Sequence, residues 1–123
     1  MFVVDDDESV RNSLGRLMRA EGFVVLLFAS PESFLAEASS IPSACVLLDI
    51  TLPGMSGFEV QRRLTERGIR LPVIAVSARD DEATRHEARQ LGAKFFFRKP
   101  VDDRTLIDAI DWAVNSDPDT RTP

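Results

Sequence analysis

Residues 44–57 read ACVLLDITLPGMSG, an apolar run that ends at Asp49 and passes into a turn-rich loop. A continuous apolar run, without polar residues in alternation, is typical of a strand covered on both faces of a parallel sheet. The Pro, Gly and Ser residues that follow interrupt the pattern and indicate a loop. This stretch therefore predicts a buried strand that carries the carboxylate of Asp49 to the end of a parallel sheet.

The rest of the chain alternates short apolar segments with stretches whose apolar residues recur at helical spacing. We expect strands at residues 2–4, 23–28, 44–49, 72–77 and 94–97, and helices at 8–20, from Ser30-Pro31 onward, at 58–67, 81–90 and 103–114. Five strands alternating with five helices predict an α/β fold with a doubly wound five-stranded parallel sheet. The expected strand order is the flavodoxin-like 2-1-3-4-5, in which sites form beyond the carboxyl ends of the strands.

Composition limits the classes of protein to consider. The 123 residues are 44% hydrophobic, which suits a single domain with its own core. We assign that domain to residues 1–115 and expect the polar residues 116–123 to be a tail or the start of a linker. The net charge of -5 argues against direct nucleic-acid binding by this domain. The single cysteine, Cys45, lies in an apolar run and is expected to be a small buried hydrophobe. Since no leader peptide or membrane-length apolar span is visible, we expect a cytoplasmic protein without membrane contact.

Chemically active side chains stand where four of the predicted strands end. Asp5 and Asp6 follow the first strand, Asp49 ends the third, Ser77 ends the fourth and Lys99 follows the fifth. Three carboxylates in one place repel one another unless a cation neutralises them, and oxygen ligands favour a hard divalent ion such as Mg²⁺. An ion held by carboxylates with open water positions is also the usual companion of phosphoryl transfer.

Each of these residues has an ordinary structural interpretation. Asp7 and Glu8 begin a predicted helix, where acidic side chains favour the positive end of the helix dipole. Asp49 alone could be a turn residue, Ser77 alone a helix cap and Lys99-Pro100 a strand exit. It is their joint placement at separate strand ends that favours a functional site.

Four sequence pieces, in this order, together carry a family resemblance: Val3-Val4-Asp5-Asp6, then Leu47-Leu48-Asp49 with residues 52–57, Ser77-Ala78, and Lys99-Pro100. Phe2 to Val114 resembles the receiver domain of two-component response regulators. The region from Glu8 to Leu14 and the Gly22-Phe23 step look closest to nitrogen-fixation-type transcriptional regulators.

The resemblance implies that Asp49 accepts a phosphoryl group from a histidine kinase and becomes an acyl phosphate. It also implies that Asp6 and Asp49 ligate Mg²⁺ directly, that Asp5 does so directly or through water, and that the backbone carbonyl of Thr51 completes the set. Lys99 is expected to pair with a phosphoryl oxygen, and the Lys99-Pro100 bond is expected to be cis.

Ser77 is expected to act as the switch, because its hydroxyl can reach a phosphoryl oxygen by moving inward. Phe96 matches the family's aromatic switch position, where a Tyr is often found; alternatively it is simply one of three strand phenylalanines. Thr51 and Arg79 match the positions that tune phosphoryl lifetime. Neither is an acid or an amide that could orient water, so we expect slow self-dephosphorylation with Arg79 shielding the phosphate.

The fourth predicted helix, residues 81–90, has little apolar area and should therefore dock weakly. We expect it to form an output surface with the fifth strand and to serve as a homodimer face after phosphorylation. The expected function is signalling, with only self-phosphorylation and self-dephosphorylation as chemistry, and control of transcription through an output domain outside this chain.

Three alternatives remain open. Asp5-x-Asp7 with Ser77, Lys99 and Asp102-Asp103 resembles a small Mg²⁺-dependent aspartyl-phosphate phosphatase of the haloacid dehalogenase superfamily, although that interpretation gives Asp49 no role. A flavin-binding module needs a phosphate-cradling loop after the first strand, where this chain has four carboxylates. A degenerate receiver that acts only by interaction is disfavoured because every expected site residue is present.

Overall fold

The structure, a computed structural model, describes residues 1–41, 43–52, 54–79 and 81–115. The strands are β1 (Phe2–Val4), β2 (Leu26–Phe28), β3 (Val46–Asp49), β4 (Val73–Ser77) and β5 (Ala93–Arg98). The helices are α1 (Glu8–Ala20), α2 (Pro31–Glu37), α3 (Gly57–Glu66), α4 (Glu82–Gln90) and α5 (Asp103–Asn115). The strands pair in parallel in the order β2-β1-β3-β4-β5, which confirms the predicted doubly wound fold. Residues 116–123, expected to be a tail or linker, lie outside the described residues.

Apolar layers cover both faces of the sheet because successive strand residues point to opposite sides. On one face the strands pack against α1 and α5, with Val3, Met18, Leu47, Ile74 and Ile110 buried together. On the other face they pack against α2 and α3, with Phe2, Val4, Phe34, Leu48 and Val60 buried together. The continuous apolar strands predicted from the sequence are therefore buried on both sides.

Local sequence signals set the ends of the first helix. Asp7 has extended backbone angles, and its side chain accepts a hydrogen bond from the Val10 N–H, so it caps α1. Gly22 follows the helix with φ of +93°, a conformation that costs glycine little. Asp7 thus begins the helix, as predicted.

Among the described residues, no helix is long and apolar enough to cross a membrane.

The second strand is shorter than predicted. The β-branched and aromatic residues at 23–28 favour a strand throughout, but β2 begins only at Leu26. The reason is its partner: β2 lies at the edge of the sheet and pairs with β1 alone, which offers the three residues Phe2–Val4. Before Leu26 the pairing reduces to one bond, from the Met1 nitrogen to the Val24 oxygen at 2.6 Å, and Val24 is 80% exposed.

The three phenylalanines of β5 alternate between the two faces of the sheet. Phe95 stacks on Phe97, and Trp112 of α5 meets Phe95 edge-on, with 5.4 Å between the ring centroids. Phe96 points to the opposite face, where it is buried with Ala88 of α4. The aromatic residue at the predicted switch position therefore contacts α4, and its two neighbours contact α5.

Cys45 lies fully buried before β3. Burial raises the pKa of its thiol to about 11, because the thiolate is poorly solvated there. Since the thiolate is the reactive form, the thiol is inert near neutral pH, in agreement with its expected role as a buried hydrophobe.

Candidate functional site

Two buried carboxylates and one ammonium meet at the carboxyl end of the sheet. Asp5 follows β1 and Asp49 ends β3, and these two strands are neighbours. Lys99 follows β5, and its Nζ donates to Asp5 Oδ2 at 2.8 Å and to Asp49 Oδ2 at 2.9 Å. The topology thus brings together three residues that are up to 94 positions apart in the chain.

The second oxygen of each carboxylate is held by the backbone two residues further on. Asp5 Oδ1 accepts from the Asp7 N–H at 2.9 Å, and Asp49 Oδ1 accepts from the Thr51 N–H at 2.9 Å. Short aspartate-to-backbone bonds of this kind fix the local turn and the side-chain rotamer. Both carboxylates are therefore oriented before any ligand arrives.

Burial and hydrogen bonds at this site shift the pKa of two of its groups. Burial raises the pKa of Asp49, and the hydrogen bonds from Lys99 and Thr51 offset this rise only in part. Burial also opposes the charge on Lys99, but its hydrogen bonds to Asp5 and Asp49 outweigh burial and raise the pKa of Lys99. The direction for Asp49 follows from burial that its hydrogen bonds offset only in part, and the direction for Lys99 follows from one ammonium bonded to two carboxylates.

Asp5, Asp6 and Asp49 form the predicted metal cluster. One carboxylate oxygen from each lies within 4.8 Å of the others. Two oxygens that share one Mg²⁺ at roughly 2.1 Å each can be at most about 4.2 Å apart, so a small closure suffices. Asp6 is exposed and the other two are buried, which leaves the cluster open to water on one side. Oxygen-only ligands and this spacing fit a hard divalent cation; the carbonyl of Thr51 stays a predicted ligand.

Ser77 lies at the end of β4 and is fully buried. Its Oγ accepts from the Arg79 N–H at 3.0 Å, and the Thr51 Oγ1 lies 3.5 Å away, beyond the usual range of an O–H···O bond. The Arg79 side chain is 73% exposed and contacts Asp81 at 3.4 Å. The two predicted lifetime-tuning residues thus both lie close to the Ser77 hydroxyl, Arg79 through its backbone N–H.

Sequence reasoning missed two polar residues, one at the site and one between α3 and α4. Arg11 of α1 donates from Nη1 to the backbone oxygen of Asp5 at 2.9 Å. Gln61 of α3 is 1% exposed and donates from Nε2 to the Ala88 backbone oxygen at 3.1 Å. A signal for Gln61 existed: Gly57, Val60, Gln61 and Leu64 follow helical spacing, so Gln61 is a polar residue at an inward-facing position.

Known proteins are similar to this chain in sequence and in fold. Residues 1–111 match the family described as the response regulator receiver domain. The chain is 36% identical over 118 residues to the response regulator protein TmoT of Ectopseudomonas mendocina, covering 96% of this chain and 54% of that protein. It is 37% identical over 113 residues to the transcriptional regulatory protein FixJ of Rhizobium meliloti, covering 92% of this chain and 55% of that protein. The solved structure of FixJ-N superposes with a TM-score of 0.85 at 36% identity, covering 94% of this chain and 92% of that one.

These similarities agree with the site. They confirm the resemblance to nitrogen-fixation-type transcriptional regulators, and they lend no support to the phosphatase alternative. The chain spans about half the length of the curated relatives it matches. With its sequence, its strand order and its strand-end acidic residues in agreement, the chain belongs to the response regulator receiver domain family.

Proposed function

We propose that a histidine kinase transfers a phosphoryl group to Asp49 of this chain. The observation that carries the proposal is the Lys99 ammonium held between Asp5 and Asp49 at the carboxyl end of the sheet. An ammonium in this place can exchange a contact with a carboxylate for a contact with an oxygen of the arriving phosphoryl group. The family membership supports the same chemistry.

The transfer itself is a nucleophilic displacement. A carboxylate oxygen of Asp49 attacks the phosphorus of a phosphohistidine, the P–N bond breaks, and the imidazole leaves with the electron pair. An ionised carboxylate is needed; burial raises the pKa of Asp49, and the hydrogen bonds from Lys99 and Thr51 favour the ionised form. The product is an acyl phosphate on Asp49.

Asp5, Asp6 and Asp49 would hold Mg²⁺, with the carbonyl of Thr51 as a further ligand. When bound, the ion supplies positive charge that offsets the charge of the phosphoryl oxygens. Lys99 pairs with another of these oxygens, and this requires it to give up part of its contact with Asp49.

Ser77 and Phe96 report the phosphoryl group to the surface. In the structure Ser77 Oγ accepts a hydrogen bond and keeps its own proton available as a donor to a phosphoryl oxygen. An inward shift of Ser77 draws the segment that leads to α4, and Phe96 packs against α4 through Ala88. The switch therefore acts on the position of α4.

Labelling with acetyl phosphate and Mg²⁺, followed by borohydride reduction and peptide mass mapping, tests the phosphoacceptor. We expect the reduced residue to be Asp49, and Asp49→Asn to lose the label completely. Asp7→Asn is the matched control, because Asp7 is a nearby acid outside the metal cluster, and it should label normally. Label on Asp5 instead would favour the phosphatase chemistry and overturn the proposal.

We further propose that the acyl phosphate is long-lived, because Thr51 and Arg79 offer neither a carboxylate nor an amide to orient an attacking water. The expected half-life of the purified phosphoprotein is many minutes, and Arg79→Ala should shorten it several-fold by exposing the phosphate. Arg16→Ala, on the exposed side of α1, is the control. A wild-type half-life of seconds, measured by the decay of the labelled species, contradicts this proposal.

We propose that α4 and β5 form the output surface. This surface becomes a homodimer face after phosphorylation. Its support is that β5 is an edge strand and that α4 buries only Ala88. We propose that the whole protein is a cytoplasmic response regulator that controls transcription through an output domain beyond this chain. The name of its relative FixJ, a transcriptional regulatory protein, suggests this role.

A further inference from the structure

Helix α4 is held to the domain by few apolar contacts. Of its residues only Ala88 is buried, packed against Ile50, Ala75 and Phe96. Helices in proteins gain most of their stability from burying an apolar face, so one alanine is a weak anchor. Polar contacts must therefore contribute much of what positions α4.

One of these contacts comes from Gln61 of α3. Its Nε2 donates to the Ala88 backbone oxygen at 3.1 Å, in a buried environment. Ala88 lies in the last turn of α4, where carbonyls lack helical partners, and the Gly92 N–H that could pair with it bonds to Arg89 O instead. Gln61 thus satisfies a carbonyl that α4 itself leaves unpaired.

The next residue of α3 makes a second contact with the same turn. Arg62 Nη2 lies 2.9 Å from Glu87 Oε1, and both side chains are partly exposed, at 42% and 43%. Exposed ion pairs each contribute little to the free energy of unfolding, so this contact orients α4 more than it stabilises the domain. We call the two contacts, Gln61 with Ala88 and Arg62 with Glu87, the α3–α4 clasp.

Gln61 is a costly residue for this place. Its Oε1 is buried and has no hydrogen-bond partner among the described residues. An unpaired buried acceptor lowers stability, whereas a methionine or leucine would fill similar space without that cost. Core stability therefore does not explain the glutamine, and its bond to α4 is the feature that does.

We propose that Gln61 is a positioning residue for the phosphoryl switch: through the α3–α4 clasp it restrains α4 in its unphosphorylated position. This inference rests on the proposed phosphorylation of Asp49. By linkage, a contact present only in the unphosphorylated arrangement weakens the binding of a phosphoryl analogue by the same factor by which it favours that arrangement. Removing the contact must then loosen α4 and tighten analogue binding together.

The test compares Gln61→Met with the wild-type chain by hydrogen exchange and by calorimetric titration with beryllofluoride in the presence of Mg²⁺. We expect amide exchange in α4 to rise about fivefold, the factor that corresponds to an ordinary intramolecular hydrogen bond. Exchange in α1 should stay as in the wild type. The denaturant midpoint should change little, because losing the unpaired Oε1 offsets the Ala88 oxygen that is left without its donor. Beryllofluoride should bind several-fold more tightly.

Two further variants make the result specific. Gln90→Met changes the other glutamine of the chain, which is exposed on α4, and should leave exchange and binding as in the wild type. Arg62→Gln, also on the surface, should act in the same direction as Gln61→Met but more weakly. It tests the clasp without altering the core.

Three outcomes overturn the inference: α4 exchange equal to the wild type, a rise in exchange that includes α1, or unchanged or weaker beryllofluoride binding in a chain that binds it at Asp49. If the wild-type chain takes up no beryllofluoride at all, the proposed phosphorylation fails. The exchange measurement then decides the clasp alone, since it needs no ligand.

Discussion

Replacing Lys99 with methionine is expected to lower the free energy of unfolding by about 3 kcal/mol in metal-free buffer. Removing one partner of a buried charge pair leaves the other charge uncompensated, and Lys99 is the ammonium in contact with two buried carboxylates, Asp5 and Asp49. The Lys99 side chain is still 26% exposed, which places the expected loss at the lower end of the range for buried pairs. Denaturant unfolding in EDTA measures it.

Two additions identify the cause of that loss. Mg²⁺ should restore much of the lost stability, because a cation among Asp5, Asp6 and Asp49 replaces the missing positive charge. The double variant Lys99→Met/Asp49→Asn should also recover stability, because it removes one of the carboxylates left uncompensated. Lys94→Met changes an exposed lysine on β5 and is the matched control. A Lys99 variant as stable as the Lys94 variant would show that the bridge contributes nothing.

The loss of unfolding free energy in Lys99→Met should be smaller in acid. The folded-state pKa of Asp49 is raised above its ordinary value of 3.8, so the folded chain binds this proton more tightly than the unfolded chain. Lys99 is among the groups that lower this pKa, so removing it raises the pKa of Asp49 further. Ionisation of Asp49 therefore costs more stability in the variant as the pH rises through the folded pKa, and protonation removes this cost as the pH falls. The deficit of Lys99→Met is expected in full at neutral pH and should shrink as the pH falls toward 3.8.

Replacing Gly57 with alanine is expected to destabilise the domain by about 3 kcal/mol, at the upper end of what overpacking usually costs. A Cβ at Gly57 would lie 2.7 Å from Ile50 Cα and 2.8 Å from the Asp49 backbone oxygen. Backbone atoms cannot rotate away as a side chain can, and the Gly57 N–H is already bonded to the Ile50 oxygen at 2.9 Å. The start of α3 must therefore move away from the end of β3.

This displacement should also slow the phosphorylation of Asp49. Because Asp49 belongs to the backbone that is pushed, its labelling by acetyl phosphate should slow by on the order of tenfold or more. Gly15→Ala is the matched control: its Cβ would meet flexible side-chain ends of Leu27 and Arg19 at 3.2 and 3.3 Å, inside a helix that favours alanine. Equal stability and equal labelling of the two variants would contradict the close approach of α3 to β3.

The fold could be predicted from the sequence where one segment carries its own signal. The apolar run before Asp49 and the acidic helix start at Asp7 and Glu8 are such cases, and both were confirmed. The length of β2 could not be predicted, because it depends on how many residues β1 offers as partners. Strand length in a ladder is a property of the pair, whereas β-propensity is a property of one segment.

The site divides in a similar way. The convergence of Asp5, Asp49 and Lys99 could be predicted because strand order decides it. The roles of Arg11 and Gln61 could not, because each makes one bond to a backbone carbonyl on a distant element. A polar residue at an inward helical position predicts that the residue has a hydrogen-bond partner. Only the packing of α3 on α4 identifies Ala88 as that partner.

The edge-on contact between Trp112 and Phe95 has a practical consequence for optical work. The chain contains one tryptophan and no tyrosine, so its ultraviolet emission comes almost entirely from Trp112. That indole is 40% exposed and rests against Phe95, the immediate neighbour of Phe96 in β5. The native chain therefore carries its own fluorophore beside the strand that holds Phe96, and rearrangements of that strand can be followed in stopped-flow without an attached dye.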